Sequence, residues 1–281
     1  MEWILTITVS FAVGAIAAIF GVGGGFILVP VLNSVLDVPV QTAVGSTVCY
    51  VLGPATTGLL YRNVRSIDWR LPLMMSGGLF LGVALGGATL NHLSKQSETA
   101  EHVEVIVLAS YLIMLSFLGF FSLWEAGRAA VYRPIPRGWL KSLCIPPVVT
   151  LWEWNHLEIS VSVIAWFSIA IGFLSGFLGI SGGVLIVPGL LYLFGLPAQQ
   201  TVVASMIMVW IISFQSSLVH AWSGNIDLPL VATLLAGGTI GARLGSAVGK
   251  QLGSQQLRRN FGLLALCTAI FVGLRLLNLL G

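Results

Sequence analysis

A chain of 281 residues that is 57% hydrophobic and only 8% charged is not a soluble domain, in which about a quarter of residues carry charge. Its uncharged runs at 3–36, 71–90, 105–124 and 159–226 reach or exceed the ~20 residues that cross a bilayer as helix, so an all-α integral membrane protein is expected. The net charge of +3 comes without the basic block of a nucleic-acid binder, so no nucleic acid is expected as a partner and the lipid bilayer is.

The chain opens on Met1-Glu2-Trp3, without the basic n-region of a signal peptide, and the apolar run over 3–20 is expected to remain as a span. A glycine break comes next, Gly21-Val22-Gly23-Gly24-Gly25, leading into a short apolar piece at 26–36 that contains Val29-Pro30. Segments at 43–61, 71–91 and 103–124 complete a first membrane repeat, 1–124. Residues 125–160 differ: they hold Arg128, Arg133, Arg137 and Lys141, four prolines and Trp152-Glu153-Trp154. Basic residues and tryptophans of this kind mark a cytoplasmic, interfacial connector. The second repeat, 161–281, has segments at 161–178, 184–195, 201–221, 228–249 and 261–280, and its break reads Gly179-Ile180-Ser181-Gly182-Gly183 before Val187-Pro188.

That makes eight to ten hydrophobic segments, depending on how the two pieces of about 11 residues are counted. Both are too short for a standard span, and each is expected to form a broken or re-entrant helix with its glycines. The halves match in detail. An offset of 158 pairs Pro30 with Pro188 and Gln41 with Gln199, and one inserted residue then pairs Thr42 with Thr201, Ser46 with Ser205, Asp68 with Asp227 and Gly78/Gly82/Gly86 with Gly237/Gly241/Gly245. The Gly-x-x-x-Gly stripes are expected to let helices approach closely. Arg62, Arg65 and Arg70 lie between the third and fourth segments of the first half, whereas the equivalent stretch of the second carries no basic residue. Opposite charge bias in equivalent loops points to inverted repeats, provided the short pieces cross; otherwise four spans per half run parallel.

Irregular backbone at membrane depth survives only where protein buries it or it lines a cavity. A helix resuming after glycine offers free N–H groups and a positive dipole end, which suits an anion. The candidate substrate-binding residues are therefore Gly23, Gly24, Gly25, Ser181, Gly182 and Gly183, with Gln41, Gln199, Ser46, Thr47 and Ser205 as further donors. Thr42 and Thr201 serve equally well as helix caps. Arg243 is the one charge well inside a span. It can grip an oxyanion bidentately or snorkel toward Lys250, while Arg275 is expected to snorkel. Asp68 and Asp227 are expected to cap the helices just after them, and His220 to make structural hydrogen bonds rather than carry protons.

No acidic residue occupies mid-span, so no simple buried ion pair is evident there. Enzyme motifs are absent: neither glycine cluster fits a dinucleotide or phosphate loop. The four histidines lack metal-ligand spacing, and Cys49, Cys144 and Cys267 form no disulfide framework. Hence no metal, cofactor or catalytic residue is expected.

The paired motifs Gly21–Pro30 and Gly179–Pro188, with Ser223-Gly224-Asn225-Ile226-Asp227 and Gly241-Ala242-Arg243-Leu244-Gly245, resemble the sulfite exporter TauE/SafE family over roughly 5–95 and 165–280. The resemblance implies a multi-pass permease of the bacterial inner membrane for a small anionic substrate: sulfite, thiosulfate or an organosulfonate such as sulfoacetate. The first half has Ala84 where the second has Arg243, so the arginine's role carries over to one half alone. A homodimer is compatible with this reading. So are an ion-coupled importer, a channel and a scaffold that transports nothing.

Overall fold

In the structure, a computed structural model, the described residues are 2–20, 22–61, 69–96, 100–130, 138, 140, 145–151, 157–196, 198–249 and 254–280. The first half comprises α1 (Glu2–Phe20), α2 (Gly25–Val35), α3 (Val40–Tyr61), α4 (Arg70–Gln96) and α5 (Ala100–Ala130). The second comprises α6 (Val161–Leu178), α7 (Gly183–Pro188) running into a π-helical turn (Gly189–Leu193), α8 (Ala198–Trp222), α9 (Leu228–Gly249) and α10 (Ser254–Leu280). Eight of these helices are long and apolar enough to cross a membrane, and Gly25–Val35 and Gly183–Leu193 are short apolar helices. Between the halves, β1 (Val148–Leu151) pairs antiparallel with β2 (Leu157–Ser160). Most of the expected connector, including Arg133, Arg137, Lys141, Cys144 and Trp152-Glu153-Trp154, lies outside the described residues, as do Gly21, Arg62, Arg65 and Asp68.

The glycine stripes do what their spacing predicts, and they do it between halves. Gly237, Gly241 and Gly245 of α9 lie against the carbonyls of Ile7, Phe11 and Ala15 on α1, where any Cβ would collide. Gly78, Gly82 and Gly86 of α4 lie in the same way against Ala165, Ile169 and Phe173 of α6. Each half therefore packs its first helix on the fourth helix of the other. In both pairs the numbering rises together, so α1 runs parallel to α9 and α4 parallel to α6.

The repeat equivalents run the other way. Glu104 reaches Arg275 and Glu125 reaches Arg258, so α5 and α10 are antiparallel. Trp210 Nε1 donates to Thr56 Oγ1 at 3.1 Å and Met206 touches Gly58, so α3 and α8 are antiparallel as well. All four directions agree only if the short helices turn back and each half crosses with an odd count of segments. The repeats are inverted.

This arrangement defines two faces. One carries the start of α1, the α4–α5 and α8–α9 junctions and the end of α10. The other carries the α3–α4, α5–α6 and α9–α10 junctions. Between them, Leu28, Val29, Val44, Val51, Leu178, Ile180 and Val184 form a buried apolar centre around the breaks. Outward-facing Ile113, Phe117, Phe120, Leu274 and Leu277 give α5 and α10 the apolar exterior that lipid requires.

Candidate substrate site at the paired helix breaks

The two breaks come together. Gly23 and Gly24 have φ of 79° and 80°, and Gly179 and Gly182 have φ of 72° and 71°, a left-handed conformation that costs other residues about 1–2 kcal/mol. Gly24 and Gly182 occupy the N-cap positions of α2 and α7. Ser181 Oγ donates to the Val22 carbonyl at 2.8 Å, and a Cβ on Gly25 would sit 2.6 Å from the Gly179 carbonyl oxygen. Gly183 in turn backs onto Val22.

Their depth is set by the long helices beside them. Gly23 and Gly25 abut Val51 and Thr47 of α3, while Gly182 and Gly183 abut Ile212 and Val209 of α8. These neighbours lie near the middle of 22- and 25-residue helices, so the breaks meet near mid-depth. The first helical bonds are donated by Ile27 and Leu185. The N–H groups of Gly25, Phe26, Gly183 and Val184 therefore precede the intrahelical ladder at each start. Thr47 Oγ1 is buried with no hydrogen-bond partner, as are Ser175 Oγ, Ser213 Oγ and Ser216 Oγ. A polar atom left unpaired in this way is a candidate for a ligand or water.

Other predicted residues do not join this cluster. Ser46 is buried beside it, but its Oγ accepts from the Asp227 backbone N–H at 3.1 Å and so anchors the α8–α9 junction. Ser205, its repeat equivalent, is fully buried in α8. Gln41 Nε2 donates to Ser94 Oγ at 2.6 Å in a polar pocket of about 580 Å³ on the first face, shared with Asn91, Lys95, Ser223 and Asn225. The side chain of Gln199 lies outside the described residues. Arg243 is exposed on α9. A small cavity at Gly23 is lined instead by Ser246, three residues further along α9. Arg243 stands off the breaks because Gly241 and Gly245 turn the opposite side of α9 to α1.

The capping expectations divide. Asp227 Oδ1 accepts from Leu230 N at 3.1 Å, which makes it the cap of α9. Thr42 and Thr201 fall inside the first turns of α3 and α8, which begin at Val40 and Ala198, so neither is an N-cap. His220 is fully buried. Its Nε2 lies 2.9 Å from the Gly176 carbonyl and its Nδ1 lies 3.4 Å from Asn225 Nδ2, which fits a neutral ring donating from Nε2. Asn225 Nδ2 also donates to Asn91 Oδ1 at 2.9 Å. This chain forms the floor of the polar pocket, one turn before the second break.

Two charge clusters lie near helix ends, away from the mid-span positions that hold no acidic residue. Glu125, 8% exposed, is ion-paired with Arg258, whose Nη1 also donates to the Tyr192 hydroxyl at 3.3 Å. Arg275 bridges Asp37 at 3.4 Å and Glu104 at 3.6 Å, so it is paired rather than merely snorkelling. The first cluster borders a cavity of about 180 Å³ that reaches Gly183, Val184 and Val22 from the second face. Glu125 escaped notice because α5 runs six residues past the apolar segment that ends at 124, and Arg258 because α10 begins at Ser254 rather than near 261. Among the described residues no three His, Cys, Asp or Glu side chains gather as a metal site.

The family model described as "Sulfite exporter TauE/SafE" matches residues 6–272. A probable membrane transporter protein, YunE of Bacillus subtilis, is 24% identical over 261 residues, covering 90% of each chain. A probable membrane transporter protein of Xylella fastidiosa is 24% identical over 273 residues, covering 96% of this chain and 94% of its own. Another, MJ0441 of Methanocaldococcus jannaschii, is 22% identical over 269 residues, covering 90% and 89%. No solved structure matches the chain.

Proposed function

The chain belongs to the sulfite exporter TauE/SafE family of membrane transporters, and from that premise we propose that it exports a small sulfur-containing oxyanion or organosulfonate by alternating access, with the anion held at the paired breaks. The observation that carries this reading is the meeting of two helix starts at one point near mid-depth, Gly25 against Gly179 and Gly183 against Val22. N–H groups outside the intrahelical ladder and two positive dipole ends form an anion site without a fixed cation. Thr47 adds an unpaired buried hydroxyl beside them, while the Ser181 hydroxyl, which donates to Val22, ties the two breaks together. The glycines let the two breaks pack this closely, since a Cβ on Gly25 would meet the Gly179 carbonyl and one on Gly23 the Ser181 hydroxyl. Arg243 is not part of the site.

Charge sets the orientation. Of the thirteen Lys and Arg residues, ten belong to the α3–α4, α5–α6 and α9–α10 junctions or the helix ends beside them: Arg62, Arg65, Arg70, Arg128, Arg133, Arg137, Lys141, Lys250, Arg258 and Arg259. The positive-inside rule makes that second face cytoplasmic. The cavity beside Gly183 then opens from the cytoplasm, and the polar pocket at Gln41 lies on the external face. Each negative charge leaving a cytoplasm 100 mV negative gains about 2.3 kcal/mol, so export needs no coupling ion.

Proteoliposomes test the reading. An outward anion current for sulfite, thiosulfate or sulfoacetate, without a proton or sodium gradient, is expected. Flux that requires such a gradient favours the coupled importer, and no flux for any of them removes the reading.

A further inference from the structure

The cavity on the cytoplasmic face holds a cation whose partner is supplied by the protein itself. Arg258, Tyr192 and Ser122 line it together with Glu125, and it extends to Gly183 at the second break. Its remaining walls are apolar, among them Phe20, Val187 and Phe261. Ser122 Oγ donates to the Arg258 carbonyl at 2.8 Å, which ties α5 to α10 at the cavity rim. Arg258 thus faces a space large enough for a small anion, next to the proposed binding point, while its guanidinium is engaged by a carboxylate.

The position of Tyr192 adds to this. The chain after Pro188 forms a π-helical turn, Gly189–Leu193, whereas the first half continues α2 as ordinary α-helix through Val35. Single π turns occur often at functional sites, because the extra residue re-aims the side chains beyond it. Here the turn carries the tyrosine whose hydroxyl accepts from Arg258. The repeat equivalent of Tyr192 is Ser34, so the first half has no counterpart to this group.

We propose that Arg258 is the cytoplasmic anion ligand of the transporter, and that Glu125 is an internal stand-in which the substrate's oxyanion displaces. This rests on the export reading above. In the resting state the carboxylate occupies the guanidinium fork. An arriving sulfonate or sulfite replaces it, gains the Tyr192 hydroxyl as a further donor, and is positioned beside Gly183. On release toward the other face, Glu125 closes over Arg258 again and the cation is never left unpaired. Breaking a buried pair without a replacement partner is costly, so the exchange discriminates against neutral solutes.

Opposite signs of effect separate this from a structural staple. In proteoliposomes, Arg258→Gln raises the KM for sulfoacetate export at least tenfold. Glu125→Gln, which unmasks the guanidinium, lowers KM several-fold and also slows turnover. If both variants raise KM alike, or neither moves it, the proposal is overturned while export itself stands. If wild-type protein exports neither sulfite nor sulfoacetate, both readings fall. A second measurement keeps the ion pair intact and does not depend on how those variants fold. In Ser122→Cys, sulfoacetate slows modification by a sulfonate-bearing methanethiosulfonate several-fold over the native-thiol baseline. An unchanged labelling rate overturns the assignment.

Discussion

Ser181 Oγ donates to the Val22 carbonyl at 2.8 Å, and through that bond the break of one repeat holds the break of the other. The donor exists in one half only, since the equivalent first-half residue is Gly23. Ser181→Ala leaves the Val22 carbonyl without this partner, and an unsatisfied buried group costs about 1–3 kcal/mol. The expected result is a lower apparent Tm in detergent together with altered export kinetics. A variant with wild-type Tm and flux shows that the bond contributes nothing.

Gly25 and Gly77 separate packing from helix propensity. A Cβ on Gly25 would lie 2.6 Å from the Gly179 carbonyl, whereas one on Gly77 meets nothing within 4 Å. Gly25→Ala is expected to push the breaks apart and to reduce flux more than tenfold. Gly77→Ala, in the interior of α4, changes stability by no more than about 1 kcal/mol, and in the favourable direction. Parallel flux and thermal-melt measurements on the two proteins check this.

Arg243→Ala is expected to leave the KM for export within twofold. The residue is exposed on α9, and the candidate span ends five residues later at Val248, about 8 Å along the helix at 1.5 Å per residue. That span end lies within reach of a long arginine side chain. A tenfold rise in KM would return Arg243 to the site.

Both chain ends are expected outside the cytoplasm. The start of α1 and the end of α10 share the face opposite the junctions rich in arginine. Alkaline phosphatase fused after Gly281 should be active, and a fluorescent protein fused there should be dark. The reverse result inverts the orientation and makes the cavity at Arg258 external.

Much of this was legible because spacing carries geometry. The break at Gly21–Gly25 and its copy at Gly179–Gly183, the two glycine stripes and the cap at Asp227 all depend on local backbone or four-residue periodicity. The hidden part depends on where a side chain faces. Arg243 stands out in an apolar run, yet Gly241 and Gly245 claim the packed side of that helix. Ser46 reads as a site donor, but its Oγ faces the α8–α9 junction, where it accepts from the Asp227 N–H. Gln41 shares the repeat register, yet it lies past the end of α2 and lines the polar pocket with Ser94 and Asn225. Glu125 and Arg258 sit just beyond their apolar windows, where charge reads as a topology signal. Their pairing requires knowing that α5 and α10 are neighbours, and nothing in either segment states it.

The parallel pairing of α1 with α9 also bears on how the protein is made. α1 presents Ile7, Phe11 and Ala15 to glycines of a helix that begins at Leu228, so its proper neighbour is synthesised some 200 residues later. At about 5–20 residues per second that interval is roughly 10–40 s. During it the first helix waits in the membrane without its partner, and a nascent chain truncated after the first half has no way to complete its own packing. Assembly therefore belongs to the finished chain rather than to each repeat in turn.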